Sequence, residues 1–449
     1  MNHVSIRLGG LASPILSGQS KTFMIDQVLK RKNLYKAYRQ VVGNKGAAGI
    51  DHMRVDALFS YLENNRTQII HMISSCTYAP DPIMGVEIPK SNGKTRLLGI
   101  PTVVDRWLQE AVSQVLSSKF ELGFGAFSYG FRPKMNIHKA LSQSLKYLND
   151  GFQDIVDIDL QGFFDQVDHS ILLELIYKKV KCRYTLRLIR KWLRAPIQIN
   201  GRLHKRRKGV PQGSPISPLL SNIILDELDN ELSRRGLKYV RYADDFSIYA
   251  KSKSEARRIG NSIFIFLRDK LQLPINRSKS GIRRPSTFEL LGHGFVPIYK
   301  KGIKGQYQLV AKKSSWESLK RKLKAITKKT KPYNFLERLD RLNQVWKGWV
   351  NNYRLASIQT KLKGLDEWLR NRLRYCIWHD WKKPERKRKN LIRLGIRSGQ
   401  AYAWSRTNMG GWAVAQSPIL ITTITLSRLR RKGYQSMLDY YLKTQPSIR

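Results

Sequence analysis

Two short apolar runs, residues 239–242 and 246–250, stand on either side of Ala243-Asp244-Asp245. Aromatic and β-branched residues in runs this short predict a hairpin, with Asp244 and Asp245 at its turn. Two adjacent carboxylates between apolar strands repel each other and resist desolvation. The arrangement becomes favourable when a divalent cation neutralises them. A solvated acidic turn would read the same in isolation, so a second acidic run decides. That run is Asp154-Ile155-Val156-Asp157-Ile158-Asp159, followed by Leu160-Gln161-Gly162 and then Phe163-Phe164-Asp165. Asp157 and Asp159 alternate with Ile158 and therefore share one face of a strand; only one of them need reach a metal. A carboxylate at a strand end, facing a hairpin with two more, suits two Mg²⁺ ions around an in-line phosphoryl transfer.

The charge balance points the same way. The 449 residues include 82 Lys and Arg against 33 Asp and Glu, a formal charge of +49. Such an excess repels itself unless a polyanion is bound, so nucleic acid is the expected partner. A hydrophobic content of 41% supports a globular protein with two or three cores. No run of about 18 uncharged apolar residues occurs, so no membrane partner is expected, and the N-terminus does not read as a signal peptide. Cys76, Cys182 and Cys376 are odd in number and widely spaced, which argues against disulfides and a cysteine zinc site. The cytoplasm is the expected location. His138 and His169 lack neighbouring ligands in sequence, and no zinc is assigned to either.

Tyr242-Ala243-Asp244-Asp245 resembles the palm signature of reverse transcriptases, and Asp159 with Phe163-Phe164-Asp165 resembles their first palm motif. Further blocks follow in that family's order: Ile88-Pro89-Lys90-Ser91-Asn92-Gly93-Lys94-Thr95-Arg96, Gly99-Ile100-Pro101-Thr102-Val103-Val104-Asp105-Arg106, Phe127-Ser128-Tyr129-Gly130-Phe131-Arg132-Pro133, Gly209-Val210-Pro211-Gln212-Gly213-Ser214-Pro215 and Leu290-Leu291-Gly292-His293-Gly294-Phe295. Together they resemble the group II intron-encoded reverse transcriptases, or maturases, of the bacterial type. The resemblance covers roughly residues 30–420. It implies an α/β (α+β) right-hand polymerase with fingers and palm, an all-α thumb or maturase domain, and a small basic C-terminal region.

The resemblance also implies roles. Asp159, Asp244 and Asp245 would be catalytic and would hold the metal with the backbone carbonyl of Leu160; the cofactor is Mg²⁺, two ions, with Mn²⁺ as a substitute. Lys90 and Arg96 match fingers residues that grip the triphosphate of an incoming dNTP. The cationic hairpin carrying them, with Asn92-Gly93 at its tip, would otherwise be an exposed basic loop. Phe164 matches the aromatic beneath the nucleotide sugar, where a ring excludes a 2′-hydroxyl; a core aromatic is the other reading. Gln212 matches a residue that touches the nucleotide near its sugar and base. Lys279 matches a lysine close to the active site, with a solvated lysine as the alternative. Residues 290–295 correspond to the grip on the primer end.

Along the chain, residues 1–22 are expected to be a flexible N-terminus and 23–300 the fingers and palm. Helices are expected over residues 23–42, 107–120, 136–148, 169–180, 219–232 and 256–271 from their apolar periodicity. The thumb, 301–383, reads as three long helices near 314–330, 333–355 and 362–382. Residues 300–449 hold 36 Lys and Arg against 8 Asp and Glu, interleaved with tryptophans. Basic helices with aromatics suit nucleic-acid binding. Residues 384–449 are expected to be the basic DNA-binding or accessory region, opened by a linker in which Arg386, Lys387, Arg388 and Lys389 bind nucleic acid. Many family members end in a metal-dependent endonuclease with paired cysteines and histidines. That pattern does not follow here, so no target nicking is expected.

The expected partners are an RNA template, group II intron RNA, a DNA primer or target, and dNTPs, with a homodimer as an admissible assembly. Two other readings stay open: a reverse transcriptase working in host repair or phage defence without an intron, and an RNA-binding splicing factor whose polymerase is vestigial.

Overall fold

The computed structural model describes residues 24–445 apart from 90–92, 94, 300, 301, 303 and 304. The expected flexible N-terminus and the candidate Lys90 lie outside the described residues. In chain order the first strands are β1 (Ile83–Pro89), β2 (Thr95–Ile100), β3 (Asp154–Ile158), β4 (Ile197–Ile199) and β5 (Arg202–His204). Then come β6 (Lys238–Tyr242), β7 (Asp245–Ala250), β8 (Gly281–Arg283), β9 (Glu289–Leu290), β10 (His293–Pro297) and β11 (Tyr307–Ala311).

These strands make three sheets. The fingers sheet runs β2-β1-β4-β5 and the palm sheet β6-β7-β3-β8, with β11-β10-β9 leading to the thumb. The palm sheet is antiparallel throughout, with Asp157 opposite Ser247 on β7 and Gly281 on β8. Its alternation feeds two cores. Val156, Ile158, Phe246 and Ile248 enter the core shared with helices Ser217–Arg234 and Lys253–Asp269. Ile155, Val240 and Tyr249 enter a second core that continues through Phe288 and Phe295 into the thumb. Because successive side chains on a strand point to opposite faces, both faces must be apolar when both are covered.

Most helices fall where the periodicity placed them. His169–Val180 matches to the residue, its N-terminus capped by the Asp168 carboxylate, which accepts from the amides of Ser170 and Ile171. The first expected helix is two, Met24–Leu29 and Arg31–Gly43, because Lys30 takes an extended ψ of 133°. Leu58–Ser74 and Arg183–Arg194 were not read from the sequence, nor were the short helix Phe163–Gln166 and the helices from Ser398 to Thr444.

The thumb helices are Lys313–Ile326, Phe335–Asn352 and Gln359–Asp380. The basic run beyond them is not a linker. Pro384–Arg393 is a helix, opened by Pro at its first turn with Glu385 beside it and anchored by buried Leu391. Two of its four candidate cations are committed within the fold. The Lys387 ammonium lies 4.4 Å from the Trp378 ring centroid, and Arg388 reaches Glu385 at 3.8 Å and Ser398 at 3.2 Å. Arg386 and Lys389 remain exposed.

The C-terminal helices share the thumb's core through Val414, Leu420, Leu429, Met437 and Tyr441. Buried Asp366, on the third thumb helix, locks the last of them in place. It accepts from the hydroxyls of Tyr434 (2.9 Å) and Ser436 (2.7 Å) and from the amides of Met437 and Leu438, both at 3.0 Å. A carboxylate at a helix N-terminus is favoured by the orphan amides and the helix dipole there.

Candidate active site

β6 and β7 pair from Lys238↔Tyr249 to Tyr242↔Asp245, which leaves Ala243 and Asp244 as a two-residue turn. Ala243 takes a φ of 59°, the left-handed geometry that hairpin turns of this length require. Asp245 is therefore the first residue of β7 and Asp244 sits at the turn itself. Next to β7, β3 ends at Ile158, so Asp159 emerges beside the hairpin.

Asp159 is heavily tied. Its carboxylate accepts from Asn276 Nδ2 at 2.9 Å and lies 3.6 Å from Lys279 Nζ. Its amide donates to Ser280 Oγ at 3.0 Å, and its carbonyl accepts from the Asn276 amide at 2.8 Å. Leu160 bridges Ile275, but the two bonds of that bridge come from the Asp159 carbonyl and the Gln161 amide. The Leu160 carbonyl is thus not consumed by that ladder. Asp157, on the same face as Asp159, is bound by Arg283 Nε at 2.7 Å, a partner β8 supplies. Arg283 thus already neutralises Asp157.

Asp157, Asp159, Asp245, Lys279 and Leu291 line one cleft of about 490 Å³. Asp245 reaches water there, yet protein hems it closely. Its carboxyl is pushed up to about 6, first by desolvation and then by Asp244, Asp159 and Asp157, with Lys279 acting against them. Negative charge is therefore in excess at this point. Among the described residues no three His, Cys, Asp or Glu side chains converge into a ready-made metal cage. Mg²⁺ needs none: it binds through one or two carboxylates, keeps several waters and takes the rest from substrate phosphates. An excess of carboxylate charge without a cage fits that ion.

Three of the nucleotide candidates, Arg96, Gln212 and Phe164, are joined through one loop. Arg96 Nε donates to the Gln212 side-chain oxygen, across 116 positions of sequence. The Gly99 amide donates to the Gln212 carbonyl at 2.7 Å, and the Val210 amide to the Phe164 carbonyl at 2.6 Å. The loop 209–215 thus links fingers strand β2 to the Phe163-Phe164-Asp165 segment. Gly209, at φ 86°, admits no side chain, because a Cβ would stand 2.9 Å from the Phe164 and Asp165 backbone. Phe164 is buried against Phe163, with ring centroids 5.2 Å apart.

Sequence reasoning missed what holds the acidic turn. Arg241, in the middle of β6, is fully buried with Asp229. Its Nε donates to Asp229 at 2.8 Å; its Nη1 donates to Asn222 at 3.0 Å and to the Ala243 carbonyl at 2.9 Å. One guanidinium thus ties the helix Ser217–Arg234 to the turn bearing Asp244. The signal was an arginine next to Tyr239 and Val240 in a strand, with Asp226 and Asp229 on a neighbouring helix.

The segment 127–133 closes the other side. The Arg241 amide donates to the Phe127 carbonyl at 2.9 Å and the Tyr129 amide to the Arg241 carbonyl at 2.8 Å. Gly130 then passes so close that a Cβ would lie 2.2 Å from the Ala243 nitrogen. Gly130→Ala must displace the turn. A misplacement of about 1 Å can cost about 10²-fold in rate. We expect primer extension to fall by roughly that factor with nucleic-acid affinity retained; single-turnover rates beside equilibrium binding will show it.

The turn at Leu291 and Gly292 is held from the thumb. Both residues have positive φ, 51° and 79°. Tyr353 Oη lies 3.4 Å from the Gly292 carbonyl and 2.7 Å from Ser315 Oγ, and its ring packs 4.5 Å from His293. His293 is buried and held well below the usual imidazole range, at about 4, by desolvation. It is a neutral packing residue.

Residues 88–295 match the family described as "Reverse transcriptase (RNA-dependent DNA polymerase)", and residues 316–395 match "Group II intron, maturase-specific domain". The protein YkfC of Escherichia coli is 30% identical over 319 residues, 62% of this chain and 83% of YkfC. The chain belongs to the group II intron-type reverse transcriptases. This reverse transcriptase is also 32% identical to the group II intron-encoded protein LtrA of Lactococcus lactis, over 56% of this chain and 53% of LtrA. It thus spans about half the length of that relative. The putative COX1/OXI3 intron 2 protein of Saccharomyces cerevisiae is 27% identical over 55% of this chain and 36% of its own. Reverse transcriptases use divalent metal ions and bind RNA and DNA. No helix among the described residues is long and apolar enough to cross a membrane.

Proposed function

We propose that this reverse transcriptase copies RNA into DNA at the cleft lined by Asp159 and Asp245, beside the hairpin turn that carries Asp244, and that it binds the RNA of a group II intron to assist splicing and mobility. The observation that supports it most is the gathering of Asp159, Asp244 and Asp245 at adjoining strand ends, where the neighbouring carboxylates help to raise Asp245. Two Mg²⁺ ions, or Mn²⁺ in their place, would supply charge neutralisation at the attacking 3′-hydroxyl and the leaving pyrophosphate. Asp159 and Asp244 would hold them, with Asp245 and the Leu160 carbonyl as further ligands. With an ion on Asp159, the Lys279 ammonium that now lies 3.6 Å from that carboxylate would be free to face substrate phosphate. Arg96, with Lys90, holds the triphosphate. Gln212, once Arg96 turns to that anion, is free to meet the sugar and base.

Phe164 lies beneath the sugar and excludes a 2′-hydroxyl. Because the ring is buried, Phe164→Ala would also cost about 3–5 kcal/mol of stability. Phe164→Val keeps part of the packing. It should raise ribonucleotide use relative to dNTPs by about tenfold or more, on the scale of a removed steric contact. Paired dNTP and rNTP extension rates measure it; an unchanged ratio makes Phe164 a core residue only.

The reading as a whole is tested by primer extension with the purified chain, an RNA template, a DNA primer and Mg²⁺. Template-directed DNA product that stops on adding a chelator is expected. RNA binding without any extension would favour the splicing factor with a vestigial polymerase.

A further inference from the structure

The helix Arg183–Arg194 divides its residues sharply. Thr185, Leu188, Ile189, Trp192 and Leu193 are buried, and Trp192 Nε1 donates to buried Asp105 at 2.9 Å. The helix's lysine is drawn into the fold too: Lys191 Nζ donates to the carbonyls of Cys76 and Tyr78 at 2.8 and 2.5 Å. Arg183, Arg187, Arg190 and Arg194 are all exposed. At 100° per residue they fall within a sector of about 60°, one guanidinium per turn along about 16 Å of axis.

The row carries no acid of its own. The helix contains no Asp or Glu. Among the described residues no carboxylate ion-pairs with any of the four, as one does with some exposed cations on other helices: Lys178 with Glu174, Arg234 with Glu231, Arg341 with Glu337. Arg183 lies over the neighbouring Tyr184 ring, 5.3 Å away, and Nη2 donates to its hydroxyl at 3.5 Å. Spacings of four, three and four place like charges side by side, which is unfavourable for a helix in water. The row is relieved only when an anionic partner with several regularly spaced charges lies along it.

The guanidinium fork suits phosphate, which it can bind in a bidentate way. None of the four arginines lines the catalytic cleft. Their helix packs against Met24–Leu29, Leu58–Ser74 and His169–Val180, on the side of the fingers and N-terminal helices.

We propose that this arginine row is a docking surface for the phosphodiester backbone of structured RNA, separate from the cleft that takes primer and template. The proposal rests on the RNA-binding reading above and adds where a structured RNA would lie. RNA duplexes are recognised mainly by shape and through backbone contacts, which a rigid row of guanidinium groups can make without reading sequence.

The test uses the full chain with Arg187→Ala/Arg190→Ala and the charge-preserving Arg187→Lys/Arg190→Lys. The probes are a transcribed group II intron RNA, a short RNA template with annealed DNA primer, and polyglutamate. For the alanine pair, the salt dependence of intron RNA affinity should flatten by about 1.4–1.8 log–log units. Affinity near 0.1 M salt should fall by roughly tenfold or more. The lysine pair should keep the slope. Extension of the short primed template should be unchanged in both, and thermal stability unchanged or higher, since like-charge contacts are removed. An unchanged slope for the alanine pair overturns the proposal. So does a loss confined to polyglutamate, which would mark an acidic protein partner, or a loss of short-template extension to the same degree. If the parent chain itself fails to bind the intron RNA, the broader RNA-binding reading falls rather than this surface.

Discussion

Asp244→Asn is expected to reduce RNA-templated extension by about a thousandfold while affinity for primer and template stays nearly unchanged. The carboxylate sits at the hairpin turn, where it raises the Asp245 carboxyl and shares its excess charge. Neutralising one ligand removes several kcal/mol of transition-state charge stabilisation, and about 4 kcal/mol corresponds to roughly three decades of rate. Little else should change, because an amide fills the same volume and the hairpin register is set by β6 and β7 rather than by this side chain. Pre-steady-state extension beside a fluorescence titration of primer–template separates the two quantities. Near-normal extension would remove Asp244 from the catalytic set.

The second large effect lies beneath that turn. Asp229→Ala leaves the Arg241 guanidinium buried without its carboxylate, and breaking a buried pair in this way costs about 3–5 kcal/mol. Replacing both partners, Arg241→Met with Asp229→Leu, should recover most of the stability, since well-packed apolar residues often equal a buried ion pair. Activity should not recover with it. The double variant lacks the Arg241 bonds to the Ala243 carbonyl and to Asn222, so the turn loses its anchor. Stability is read by thermal or urea denaturation and activity by single-turnover extension. Recovery of both would mean the pair serves the fold alone.

The parts legible in the sequence were those written in short-range patterns. Alternation placed β3, β6 and β7, and acidic residues at their ends placed the cleft. Apolar periodicity gave the thumb helices, whose buried faces carry Leu342, Trp346, Leu369 and Leu373. What the sequence hid depends on long-range contacts or on charge that is buried. Arg241 looks like a solvent-facing residue until Asp229 and Asn222 close over it. Arg96 and Gln212 meet only because the loop 209–215 folds back on β2; local pattern carries no trace of that, and only the family resemblance suggested they act together. The run 384–389 read as a linker because cations dominate it. Its Pro-Glu opening was a helix-start signal, and Leu391 supplied the buried contact that holds it.

The measurement that bears most directly on the metal-dependent cleft is a Mn²⁺ titration followed by electron paramagnetic resonance. The chain is held with an RNA template, a DNA primer lacking its 3′-hydroxyl, and the next dNTP. About two tightly bound ions per chain are expected for the parent. Asp159→Asn and Asp244→Asn should each lose tight binding of at least one. If both variants bind the same number of ions as tightly as the parent, the metals sit elsewhere and the assignment of these carboxylates is wrong.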